Sequence, residues 1–168
     1  DYVDNNPLFG FYPIAVLANP LEIRRISKLI SIMNVEKIDI TAANVLVFAG
    51  DDLLSGYESK FNFAAGTAYS GSGKVIFALK SVDKNGDSNI LISHEHNLDR
   101  VRSTLSVARY VVTEYGVASL FGKSIRERAL SVIEVAHPYH REELFKQAKE
   151  EGYLYPDQIY RSVAANYP

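Results

Sequence analysis

The chain has 168 residues, 47% of them hydrophobic and 23% charged, with a formal net charge of -2, and one domain of that length can bury a sizeable core. So balanced a charge supplies no field for broad binding to nucleic acid or an anionic membrane, and no apolar run reaches the roughly 20 residues of a spanning helix. Cysteine is absent, which removes disulfides, thiolate nucleophiles and cysteine-held zinc and fits a cytoplasmic setting. The chain starts at Asp1 with no basic or apolar leader and stops at Ala-Asn-Tyr-Pro. Residues 1–168 therefore read as one domain cut from a longer polypeptide.

In chain order, Asn19-Pro20-Leu21-Glu22 is a helix start, with Asn as N-cap, Pro at the first helical position and Glu at the third. Ile23, Ile26, Leu29 and Ile30 then space as a helical stripe through EIRRISKLISI. Val35–Ile40 alternates as a strand, and NVLVFAG runs apolar into Gly50 before a polar loop over Asp51–Lys60. Phe61–Ala68 is a short helix, Tyr69–Gly73 a turn, and Lys74–Leu79 a buried strand. Asn85-Gly86 favours a type I′ hairpin, with Ser88–Ile92 as the return strand. Another strand follows over Ala108–Thr113. Ser124 and Glu127 then form a capping box. In that helix Ile125, Ala129, Val132, Ile133 and Ala136 share one face, while Arg126, Arg128 and Glu134 point elsewhere. His137-Pro138 ends it, and a second amphipathic helix, Arg141–Glu151, closes on Gly152. This mixture predicts an α/β domain with a largely parallel sheet and an antiparallel portion.

Few local motifs carry chemistry. Asp83, Asn85 and Asp87 alternate as calcium ligands do, but Gly86 is misplaced and the twelfth position is His94, where a bidentate Glu is needed. Ser93-His94-Glu95-His96 offers two imidazoles without a third ligand, so an exposed loop is the better reading and no metal site is expected. Gly71-Ser72-Gly73-Lys74 could admit a ligand to backbone amides beside a lysine, although it lacks the Walker spacing. Glu114 ends the apolar run YVVTE. A carboxylate at the carboxyl end of a parallel strand lies where α/β proteins hold ligands, and the alternative is an acid that accepts hydrogen bonds from nearby amides.

Taken together, YVVTEYGVASLFGKSIRERALSVIEVAHPYHREEL resembles the C-terminal domain of the acetyl-CoA hydrolase/transferase family, which includes 4-hydroxybutyrate CoA-transferase. NNPLFGFYP, IDITAANVLVFAG and AAGTAYSGSGKVIFAL extend the resemblance over nearly the whole chain. It implies a CoA-transferase-like open, largely parallel sheet with flanking helices. It also implies transfer of CoA between carboxylic acids, or thioester hydrolysis, through a glutamyl-CoA intermediate. The family's nucleophilic glutamate falls upstream of this chain, so no catalytic residue is expected here; no tightly bound cofactor or metal is needed either. The implied partners are acyl-CoA, a small carboxylic acid and the N-terminal half of the same enzyme, with a homodimer left open.

Ala49 and Gly50 match the family's Ile-Gly pair before its glycine-rich loop, and Ser72 and Gly73 match the Gly-Gly pair after it. Together with Gly71 and Lys74, these are the expected CoA-binding residues. Glu58, Ser59 and Lys60 stand where the family has Gly-Gly-Gln, and Asn62-Phe63 where it has Asp-Phe. Ala65 and Asn89 replace two of its arginines. These departures leave a second expectation: a diverged, noncatalytic regulatory or scaffold module.

Overall fold

The computed structural model describes residues 2–46, 57–92, 101–103 and 107–160. Its frame is a four-stranded sheet in which β1 (Ile30–Asn34), β4 (Lys74–Ala78) and β7 (Tyr110–Thr113) run parallel. A tight turn brings β8 (Gly116–Ser119) back antiparallel to β7, giving the order β1-β4-β7-β8. Register places Ile32 opposite Ile76 and Phe77 opposite Val111. A second sheet has the order β5-β2-β3-β6, from β2 (Lys37–Asp39), β3 (Asn44–Leu46), β5 (Ile90–Leu91) and β6 (Val101–Ser103). There only the β2–β5 pair is parallel.

Apolar faces bind the layers. Val75, Phe77 and Val111, all buried, come from the central strands of the first sheet, and Ile38, Val45 and Ile90 from the second. The helix α3 (Tyr57–Tyr69) packs on β1 and β4, and α4 (Ile125–Glu134) packs on β8 and on α5 (Pro138–Glu150). Both expected elements around α4 are present. Ser124 and Glu127 form the capping box, and Ala129, Val132 and Ile133 are buried. His137 caps α5, whose first residue is Pro138 rather than the expected Arg141. At the far end Gly152 (φ 76) closes a double bond pattern, with Tyr153 N–H donating to Ala148 and Gly152 N–H to Lys149.

Further expectations need correction, the first being the polar loop over Asp51–Lys60, whose last residues, from Tyr57, are the first turn of α3. The stripe over EIRRISKLISI is not a helix: α1 (Ile14–Leu17) and α2 (Pro20–Ile23) are single turns, and the chain then turns through Lys28 (φ 58) into β1. Only Ile23 of the proposed face packs inward, while β1, rich in β-branched residues, gains a full ladder against β4. The hairpin at Asn85-Gly86 is not type I′ either, because only Gly86 (φ 88) has a positive φ. Gly86 N–H donates to the Asp83 carbonyl, the flanks meet at one bridge, Val82 with Ser88, and the chain leaves to form β5 beside β2. Lastly, Arg128 does not point outward. It is buried, its Nε donating to the Thr41 carbonyl at 2.7 Å and its Nη2 to that of Ala42 at 3.3 Å.

Candidate functional site

Because β1, β4 and β7 run the same way, the first sheet has distinct amino and carboxyl ends. The sequence candidates divide between them.

At the carboxyl end, Glu114 follows β7 and reaches across to Ser81, in the loop that leaves the end of β4. Its Oε1 and Oε2 accept the Ser81 amide at 3.2 and 3.0 Å, and Oε1 also accepts the Ser81 hydroxyl at 2.6 Å. Ser81 is fully buried, whereas Glu114 keeps an exposed side. Partial burial pushes the Glu114 pKa up, but the Ser81 hydroxyl, the amides and the nearby His137 outweigh it and hold the carboxyl below its usual value. This is the hydrogen-bonded acid of the sequence alternatives, set at the strand ends where a ligand would meet it.

Around it the next turn is pinned by side chains. Thr113 Oγ1 donates to the Val135 carbonyl and accepts the Tyr115 amide. The Tyr115 ring stands edge-on to His137 at 5.2 Å, and His137 Nδ1 accepts the Tyr139 amide. His140 Nε2 lies 2.8 Å from the Gly86 carbonyl, so α5 is tied to the loop between β4 and β5. In that loop the Asp83 carboxylate takes the amides of Asn85 and Asp87, the structural reading of the acidic run. The chemistry available at this end is an ionised carboxylate in a fixed orientation, flanked by imidazole and phenol.

At the amino end lies the glycine loop. Gly71 has open space around it. Ser72 Oγ accepts the Lys28 amide at 3.2 Å. Gly73 is demanded by packing, since a Cβ there would sit 1.9 Å from the Thr67 carbonyl oxygen and 2.3 Å from Ser70 Oγ. Lys74 starts β4, its amide donating to Leu29 and its side chain exposed. These four residues lie together, yet Lys74 is level with Ala108, and about 20 Å of strand, at roughly 3.3 Å per residue, separates it from Glu114. Ala49 and Gly50, like His94, Glu95 and His96, lie outside the described residues. Glu58, Ser59 and Lys60 fall within the first turns of α3. Asn89 is buried, and its Nδ2 donates to the Lys80 carbonyl.

One polar centre escaped the sequence reading. Between β2 and β3, Asp39 Oδ1 accepts the Thr41 amide (2.9 Å), the Thr41 hydroxyl (2.7 Å) and the Ala43 amide (3.1 Å), while Oδ2 accepts Asn44 Nδ2 at 2.8 Å. Arg128 closes this turn from α4. The Asp-x-Thr spacing was its local signal, since both side chains turn back on amides two residues on. The arginine, 87 residues away, had none.

The site thus belongs to a mixed α/β domain, a largely parallel sheet with one antiparallel edge and a hydrogen-bonded carboxylate at its carboxyl end. The chain belongs to the acetyl-CoA hydrolase/transferase family: the family's C-terminal domain matches residues 1–148. It is 37% identical to a succinyl-CoA:acetate/propanoyl-CoA:succinate CoA transferase of Fasciola hepatica over 95% of its own length and 34% of that protein's. Against 4-hydroxybutyrate coenzyme A transferase of Clostridium kluyveri it is 33% identical, over 89% of this chain and 35% of that one. Among solved structures, RipA from Yersinia pestis superposes with a TM-score of 0.77 at 28% identity, covering 91% of this chain and 33% of RipA. A 4-hydroxybutyrate CoA-transferase from Porphyromonas gingivalis gives 0.72 at 28% identity, covering 90% and 34%. The chain thus spans about a third of the length of these relatives.

Proposed function

We propose that this chain is the C-terminal portion of an enzyme that moves CoA between carboxylic acids or hydrolyses acyl-CoA, and that it completes the CoA-binding cleft. The observation that carries this reading is the family match over residues 1–148, together with relatives named as CoA transferases. In the proposed reaction a glutamate outside this chain attacks the thioester carbonyl, CoA thiolate leaves, and a mixed anhydride forms. The thiolate then attacks the glutamyl carbonyl, releasing the first acid as its carboxylate and leaving a glutamyl-CoA thioester. A second carboxylate reverses the sequence. Because a carboxylate is a weak nucleophile, the rate depends on positioning and on donors aimed at the developing oxyanion.

Within this chain, Ala49, Gly50, Gly71, Ser72, Gly73 and Lys74 are the proposed CoA contacts, and Glu114 is a positioning acid that fixes Ser81. Lys74 is exposed beside the open Gly71, which supports a phosphate contact for it.

The test uses the complete polypeptide with acyl-CoA and a second carboxylate. Mass spectrometry of the trapped enzyme should find CoA on a glutamate outside residues 1–168. CoA trapped on Glu114, or no turnover with any short-chain acyl-CoA, overturns the reading, and the second outcome favours the scaffold role. Lys74→Glu should raise KM for acyl-CoA with kcat nearly unchanged. An unaltered KM removes that loop from the CoA site.

A further inference from the structure

A cleft of about 330 Å³ opens between β8, α4 and the first turns of α5, room enough for a small molecule. Its walls include Gly116–Ser119, Val135 and Tyr115, and its charged groups are Arg141, Lys123 and Glu134. Arg141 is 6% exposed. Its Nε donates to the Ala136 carbonyl at 2.9 Å, which sets the plane of the guanidinium, and its Cζ lies 5.7 Å from the centre of the Tyr115 ring. Among the described residues its two terminal nitrogens meet no hydrogen-bond acceptor, and no carboxylate pairs with it. The Nε bond thus fixes the plane of the guanidinium while its terminal donors stay open to the cleft, where an anion can meet them.

We propose that this cleft binds a small carboxylate anion, held end-on by the terminal nitrogens of Arg141. That fork is planar and delivers two parallel N–H donors, a match for a carboxylate's two oxygens. Lys123 adds a second positive charge at the wall, its Nζ already oriented by donation to Ser131 Oγ at 2.7 Å. Glu134 also lines the wall. Val117 and Val135 offer apolar surface to a short acyl chain. The acids exchanged in the proposed reaction are the natural occupants, and in that identity alone the inference rests on the functional reading. Binding itself requires neither acyl-CoA nor turnover.

The experiment titrates the complete polypeptide with acetate and then butyrate at constant ionic strength, following amide and arginine side-chain resonances by NMR. Saturable shifts confined to Tyr115–Ser119, Ser131–Val135 and Arg141 are expected. Lys123→Gln should weaken binding several-fold, and Arg141→Lys, which keeps the charge but loses the fork, should weaken it at least tenfold. If Arg141→Lys fails to fold, Lys123→Gln still decides, since an unchanged affinity overturns the proposal. Shifts that never saturate, or saturation elsewhere on the protein, also overturn it. Loss of carboxylate binding with transfer activity retained sinks this inference and leaves the enzyme assignment standing, whereas the reverse result does the opposite.

Discussion

Ala42 holds a backbone conformation that L-residues with side chains avoid. Its φ is 52, and it is fully buried in the β2–β3 turn. Replacement by glycine relieves roughly 1–2 kcal/mol of left-handed strain, but surrenders one buried methyl and adds unfolded-chain entropy of about 0.5–1 kcal/mol. Ala42→Gly should therefore be close to neutral in urea denaturation. Ala42→Val should cost about 2 kcal/mol or more, because a β-branched residue is poorly tolerated at positive φ and extra methyls overpack the site. Near-equal stability of the two variants would deny that the turn is strained. Glu114 makes a different prediction. Its pKa is lowered in the folded state, so the stability it contributes is present above its unfolded pKa and is lost as pH falls through the folded value. Glu114→Gln should destabilise the protein at neutral pH and flatten its acid-side loss of stability. Parallel pH curves for the two proteins would refute a role for the Ser81 contacts.

At the scale of elements, Arg128 joins α4 to the second sheet. Burial lowers its pKa and the charge of Asp39 offsets part of that effect, so the guanidinium remains a cation answered by the turn it grips. Arg128→Met keeps the volume and removes the donors, which should cost about 1–3 kcal/mol for carbonyls left without a partner. The urea midpoint should fall at constant m, and amide exchange should quicken in β2 and β3 before β4 and β7. Uniform acceleration across both sheets would show that α4 does not clamp the turn selectively. The same contrast explains what the sequence made legible. The capping box at Ser124, the Gly152 stop of α5, and strands β4 and β7 are written in neighbouring residues, whereas the His137-Pro138 start of α5 reads locally as the end of α4. The β1 strand was not legible because its stripe fits a helix until β4 is there to pair with it. The Glu114–Ser81 contact spans 33 residues, so the sequence posed the right alternatives without choosing between them. The Arg141 cleft needed three elements in place, and no local spacing announces it.

For the whole molecule, the distribution of exposed apolar surface is uneven. Leu8 and Phe11 are each 85% exposed, and Tyr2, Tyr12, Ile14, Val16 and Leu17 are also open to solvent. The band continues through Leu21 and Ile26 to edge strand β1, where Ile30 is 54% and Ile32 70% exposed. Single exposed apolar residues are ordinary, but so many within one stretch of chain point to a surface that is normally covered. An open edge strand adds unpaired backbone groups next to it. The 168-residue chain alone should therefore bind a hydrophobic dye and self-associate as its concentration rises. Leu8→Ser with Phe11→Ser should reduce both effects without lowering the unfolding midpoint, because neither residue belongs to the core. The complete polypeptide should show little dye binding and protect the β1 amides from exchange. If it binds dye as strongly as this chain does, the band is a free surface, and the family's larger architecture closes elsewhere.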